Sequence, residues 1–197
     1  MALFLLTRHA QSVLNVERRV NGDPALQVAL TPAGEEAARR LGEQIANVPI
    51  ELCVHTRFGR TRDTAALALA GRDIPFVEEP LLDDIKIGEL EGLSVDDYDA
   101  WKAERTRGER FPGGGESLDE AAARYVQAYR ALVARPEAVV LVVCHLISIR
   151  YALNATAGSA SLDAPLDEIP NATPYVFDGA GLERAATAIE RIVTLSA

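Results

Sequence analysis

The run Ala138-Val-Val-Leu-Val-Val-Cys-His145 constrains the chain most, because it is apolar at every position until its closing histidine. A strand with one wet face alternates polar and apolar residues, whereas a continuously apolar strand needs protein on both faces. Leu3 to Leu6 is a second run of this kind, and it leads into Arg8-His9. Two such strands predict a buried, mostly parallel sheet with helices packed on each side.

The segments between them supply those helices. Thr31 is placed to cap a helix with Pro32 at its first position, and Ala37, Leu41 and Ile45 share one face, so a helix is expected over about 32–47. Strands are expected at 50–55 and 74–79, with a helix at 60–70 stopped by Gly71. Further helices are read at 94–104, 117–134 and 145–158, and a late strand at 173–179. The expected fold is therefore an α/β, three-layer α/β/α sandwich with a mostly parallel central sheet, in a single domain over 1–197 without internal repeats. Residues 81–116 are the least regular. They hold Trp101, Arg105, Arg107, Arg110 and the stretch Phe-Pro-Gly-Gly-Gly-Glu-Ser, and read as a helical flap over a site.

Composition narrows the function. The chain is 48% hydrophobic and 25% charged, as a globular protein should be, and its formal net charge is −9. That charge argues against nucleic acid or an anionic membrane as partner. An anionic substrate would have to be drawn by a local basic cluster. No segment reaches the 18 or so apolar residues of a membrane span, and Arg8 interrupts the N-terminal apolar run before it could serve as a secretion signal. Cys53 and Cys144 lie in strand-like apolar runs and read as buried thiols, so a cytoplasmic location is expected.

Chemistry-bearing residues collect where the strands end. One apolar strand runs into Arg8-His9, another into His145, and the 50–55 strand is followed by a turn and Arg60. Neighbouring parallel strands would bring two imidazoles and two guanidiniums to one edge. Guanidiniums grip phosphate oxygens and stay charged, while a neutral imidazole can attack phosphorus. The set suits a transferring phosphoryl group.

At this point the sequence resembles the histidine phosphatase superfamily, also called the phosphoglycerate mutase-like proteins. "LTRHAQSVLN" is similar to the family's R-H-G-x-[ST]-x-x-N signature, and "ALTPAGEEAARRLGEQI" to its next helix. "HTRFGRTRDTA", "LLDDIKIGELEG", "PGGGES" and "VVCHLISIR" resemble later motifs, in family order from residue 3 to about 177.

The resemblance implies a phosphatase that works through a phosphohistidine. His9 would be the nucleophile, Arg8, Arg60 and His145 would hold the phosphoryl oxygens, and Ser12 and Asn15 would add first-loop contacts. The proton-donor position falls on Asp84, with Asp83 and Glu89 close enough to serve instead. The pocket's cations are expected to pull the Asp84 pKa down in the free protein. The implied protein needs no metal and no cofactor, because arginines neutralise the charge. Its partner would be a small phosphorylated metabolite, and a homodimer is left open.

Three residues depart from the family pattern: Ala10 and Leu146 stand in place of glycines, and Asp84 in place of a glutamate. Leu146 is expected to narrow the pocket or make it more apolar. Arg105, Arg107 and Arg110 suggest an anionic substrate, unless they only balance the acidic surface. The alternatives are a phosphoglycerate mutase-type phosphotransferase, and a catalytically weak member that acts by binding.

Overall fold

The computed structural model describes residues 2–166 and 168–196. Its sheet has five strands, β1 (Leu3–Arg8), β2 (Leu52–His55), β3 (Phe76–Glu78), β4 (Val139–Cys144) and β5 (Pro174–Asp178), in the order β3-β2-β4-β1-β5. β1, β2, β3 and β4 pair in parallel, and β5 lies antiparallel on the outer side of β1. All six residues of β4 are buried, as its unbroken apolar sequence requires of a central strand.

Around the sheet lie α1 (Val13–Val16), α2 (Pro32–Gln44), α3 (Gly59–Ala68), α4 (Val95–Ala103), α5 (Leu118–Val133), α6 (Leu146–Thr156) and α7 (Gly179–Ser196). The strands sort the core by alternation. Phe4, Leu6, Val140 and Val142 pack with α5, α6 and α7 on one face. Leu5, Leu141 and Val143 pack with α2 and α3 on the other. This is the expected α/β/α arrangement. Cys53 and Cys144 are buried in clusters on opposite faces and are free thiols, each pushed up to about 12 by burial.

Local chemistry explains the helix ends. The Thr31 hydroxyl accepts from Gly34 N–H at 2.9 Å, with Pro32 opening the helix, and Ser117 and Glu120 form a reciprocal cap on α5. α2 stops at Gln44, three residues before the expected end, because Ile45 already leaves helical geometry as the C-cap. α3 begins one residue earlier than expected and closes two residues earlier, ahead of Gly71 at φ 78°. α7 was not anticipated from the sequence. Leu182, Ala185, Ala186 and Ile189 form its fully buried stripe, and the helix packs on α5 and α6.

The 81–116 segment carries two 3-10 turns, Pro80–Leu82 and Gly88–Leu90, and α4. Trp101 stacks on Phe111 at 4.5 Å, with Tyr98 on the same ring at 5.5 Å, so this segment has a small aromatic core. A side chain on Gly88, at φ 58°, would place Cβ 1.8 Å from the Pro112 carbonyl oxygen, so the two parts of the segment meet at a bare backbone. No helix among the described residues is long and apolar enough to cross a membrane.

Candidate active site

Three strands deliver the site to one sheet edge. Arg8 pairs in register with Cys144, and His55 with Val143, so the next residues of all three strands, His9, His145 and Thr56, leave the sheet together. His9 N–H donates to the Cys144 carbonyl at 3.0 Å and extends the pairing by one step. Arg60 comes from the first turn of α3, and Asp84 from the loop after the Pro80–Leu82 turn.

Arg60 organises the group. Its Nε donates to His9 Nε2 at 3.0 Å, and its Nη2 lies 3.0 Å from Asp84 Oδ2 and 3.2 Å from His145 Nδ1. Its Nη1 donates to Asn21 Oδ1, and its guanidinium lies over the Phe58 ring at 4.2 Å. The His9 and His145 rings meet edge to face at 5.5 Å. Arg8 lines the same cavity and donates from Nη1 to the Ile169 carbonyl at 2.9 Å.

The protonation pattern of His9 follows from its partners. Nδ1 stands 2.8 Å from the Ala10 carbonyl, which can only accept, so Nδ1 carries the hydrogen and Nε2 the lone pair. Burial, together with the charges of Arg60 and Arg8, holds the His9 pKa well below 6.5 and keeps the ring neutral. Burial and then Arg60 do the same for His145. His145 Nε2 meets the Thr56 hydroxyl at 2.9 Å, which meets the Thr61 hydroxyl at 2.9 Å, which donates to the Phe58 carbonyl at 2.7 Å. If each hydroxyl donates once along this chain, His145 Nε2 is the donor to Thr56, and Nδ1 faces Arg60 and Asp84 as an acceptor.

Asp84 departs from its expected electrostatics. Burial raises its pKa, and the pulls of Arg60, the Ile85 N–H and Arg8 only partly offset that rise. Its side chain keeps 26% of its exposure, against 5% for the Arg60 to which it pairs. The alternative carboxylates, Asp83 and Glu89, do not line the cavity that holds His9. Asp83 is bound to the backbone N–H of Arg57 at 3.0 Å and to its guanidinium at 2.6 Å, and Glu89 lines a neighbouring cavity.

The cavity has a volume of about 270 Å³. His9, Arg8, Arg60, Asp84, Ser12 and Asn15 all line it, and His145 contacts it through Arg60 and Asp84. Asn15 Oδ1 accepts from Ser12 N–H at 3.0 Å, so these two residues also close their own turn. Leu146 lines the cavity beside Ile147, as its place after His145 suggested.

The three flap arginines do not line it. Arg105 lies over Trp101 at 4.3 Å, and Arg110 pairs with Glu120 at 3.1 Å. Arg107 is clamped between Asp119 and Asp163 and reaches the Tyr151 hydroxyl. The cations that do line the cavity besides Arg8 and Arg60 are Arg19, Lys102 and Arg150.

Several supports were given no role by the sequence reading, although Glu91 lies in the quoted stretch LLDDIKIGELEG. Glu91 accepts from Asn21 Nδ2 and from Gly22 N–H, each at 2.8 Å, and so holds the loop that fixes Arg60. A Cβ on Gly22 would lie 2.0 Å from the Ile85 carbonyl oxygen, so only glycine lets this loop sit against the Asp84 segment. Asn171 donates to the His9 carbonyl at 2.6 Å and ties the late loop to the end of β1.

Comparison with known proteins matches this geometry to one family. The chain fits the profile of the histidine phosphatase superfamily (branch 1) over residues 4–192. It is 33% identical over 190 residues to the 2,3-bisphosphoglycerate-dependent phosphoglycerate mutase 2 of Gloeobacter violaceus, covering 90% of this chain and 86% of that protein. The fold superposes on Bacillus stearothermophilus YhfR with a TM-score of 0.79 at 24% identity, over 90% of this chain and 91% of that one. It also superposes on the alpha-ribazole phosphatase of Shigella flexneri with a TM-score of 0.75 at 22% identity, over 89% and 90%. The chain belongs to the histidine phosphatase superfamily, branch 1.

Proposed function

We propose that this protein hydrolyses small organic phosphomonoesters through a phosphohistidine on His9. The observation that carries the reading is the His9 Nδ1–H bond to the Ala10 carbonyl, which leaves a neutral Nε2 lone pair at the cavity beside two arginines.

In the first step His9 Nε2 forms a bond to phosphorus while the bond from phosphorus to the ester oxygen breaks. Asp84, protonated, gives its proton to the leaving oxygen. Water then attacks phospho-His9, Asp84 takes the water proton, and inorganic phosphate leaves with His9 restored. Arg8 and Arg60 neutralise charge on the phosphoryl oxygens through both steps. Ser12 and Asn15 are the remaining first-loop contacts. His145, neutral without substrate, gains a proton beside the bound dianion and then donates from Nδ1.

The Gloeobacter violaceus relative favours a second reading, a phosphoglycerate mutase. One assay separates the two. Phosphoglycerate is supplied with and without 2,3-bisphosphoglycerate, and both isomerisation and free phosphate are followed. Phosphate release from a phosphomonoester panel, with isomerisation slower by about tenfold or more, supports hydrolysis. Isomerisation that outpaces release overturns it.

A further inference from the structure

The cavity holds more positive charge than one phosphoryl group engages. Of the additional cations, Arg19 donates to the Gly92 carbonyl at 2.6 Å and Lys102 pairs with Asp99 at 3.5 Å. Arg150 differs from both. Among the described residues no hydrogen bond or ion pair engages its side chain, and its Nε is buried without a partner. Arg8 is in a related state, with a buried, unpartnered Nε and only Nη1 bonded. Arg150 is thus half-buried near the like charge of Arg8 with no bonded counter-ion among the described residues, an arrangement that favours an anion. Burial lowers the Arg8 pKa and Arg150 lowers it further, against the opposing pulls of Asp84 and Glu168. An anion bound between them would relieve both.

Position separates this charge from the reacting phosphorus. Arg150 lies one turn beyond Leu146 on α6, about 6 Å further along the helix axis at 1.5 Å per residue. Leu146 and Ile147 line the cavity with it and place apolar surface after His145. A planar guanidinium binds carboxylate or phosphoryl oxygens in pairs.

We infer that Arg150 is a specificity-determining residue that holds a second anionic group of the substrate, so that the protein selects phosphomonoesters bearing a carboxylate or a second phosphoryl group. The inference rests on the phosphomonoester reading of the site.

Matched ligands test it. Glycerol 3-phosphate is compared with 3-phosphoglycerate, and fructose 6-phosphate with fructose 1,6-bisphosphate. Binding is measured by calorimetry in a His9→Ala background, so that turnover does not intrude. The more anionic member should bind at least tenfold more tightly in one pair, and the pair that shows it tells carboxylate from phosphoryl. Arg150→Gln should cut that ratio at least fivefold. Arg150→Lys keeps the charge but loses the planar fork, and should cut it at least twofold. Ratios within twofold in both pairs overturn the inference, as does a ratio unchanged in whichever variant folds. Failure of the wild-type protein to release phosphate from any of the four removes the hydrolase reading instead, and the binding ratios still decide the role of Arg150.

Discussion

Arg60 Nε stands 3.0 Å from His9 Nε2 and donates to it, so the guanidinium rests on the lone pair that would attack phosphorus. On the proposed reading, an incoming phosphoryl group would draw Arg60 onto its own oxygens as it meets His9. The exchange is cheap in charge, because the guanidinium swaps a neutral acceptor for an anionic one.

The first prediction follows from that exchange. Arg60→Lys keeps a cation but cannot span His9, Asp84 and the phosphoryl oxygens at once. Its kcat/KM for p-nitrophenyl phosphate should fall by about 10²-fold or more, the usual size for loss of a preorganised donor. A loss under about threefold (some 0.7 kcal/mol) would show that charge alone is enough there.

Asp84 should matter in proportion to how poor the leaving group is. Asp84→Asn should slow an alkyl phosphate by about 10²-fold, the usual contribution of a general acid, and p-nitrophenyl phosphate by much less. The wild-type rate on the alkyl ester should fall as pH rises through the Asp84 pKa, which burial has raised. That limb should vanish in Asp84→Asn. Equal losses on both esters would place the proton source elsewhere.

The two buried histidines also predict how stability depends on pH. Both are held well below 6.5, so the folded protein binds fewer protons than the unfolded chain as pH falls through that value. Their contribution is then complete above about pH 6.5 and is lost below it, since stability rises with pH wherever the unfolded state binds more protons. Urea unfolding at pH 7.5 and 5.5 should show the loss, and His145→Gln should show less of it. An identical loss in the variant would remove His145 from the balance.

Thr56 tests the hydroxyl chain behind His145. Thr56→Val keeps the shape but leaves a buried His145 nitrogen unpaired, which should cost about 1–3 kcal/mol of stability. Activity should fall with it, because the imidazole loses the bond that fixes its orientation. Unchanged urea midpoints and unchanged kcat would mean that the contact is not maintained in solution.

The sheet edge was legible because its strands announce themselves. A run such as Val139–Cys144 has one stable environment, and the residue after its end is then placed by topology, so His9 and His145 could be paired before any coordinates. Arg60 was placed by the turn after the 50–55 strand and by the family resemblance, although its helix starts at Gly59, one residue before the expected start. Asn21 and Asn171 were not legible, and Glu91 was visible in a motif but without its partners, because each acts across 39 or more residues from a loop without periodic pattern. α7 carried its signal in Leu182, Ala185, Ala186 and Ile189, but it lies beyond about residue 177, where the quoted motifs end. The flap arginines were left between two readings because charge is visible in sequence and its partners are not, and the pairs of Arg107 and Arg110 with carboxylates favour the balancing role. Arg107 finds Asp163 from 56 residues away. The Asp84 pKa reversed for a similar reason, since burial, the larger effect there, depends on the closed fold.

The central claim is that His9 carries the phosphoryl group, and rapid-quench trapping with a ³²P-labelled ester tests it most directly. The account predicts a label that is stable in base, labile in acid, mapped to His9, and absent from His9→Ala along with turnover. A His9→Ala protein that keeps activity within about tenfold of wild type (about 1.4 kcal/mol of barrier), or a label on another residue, would contradict it.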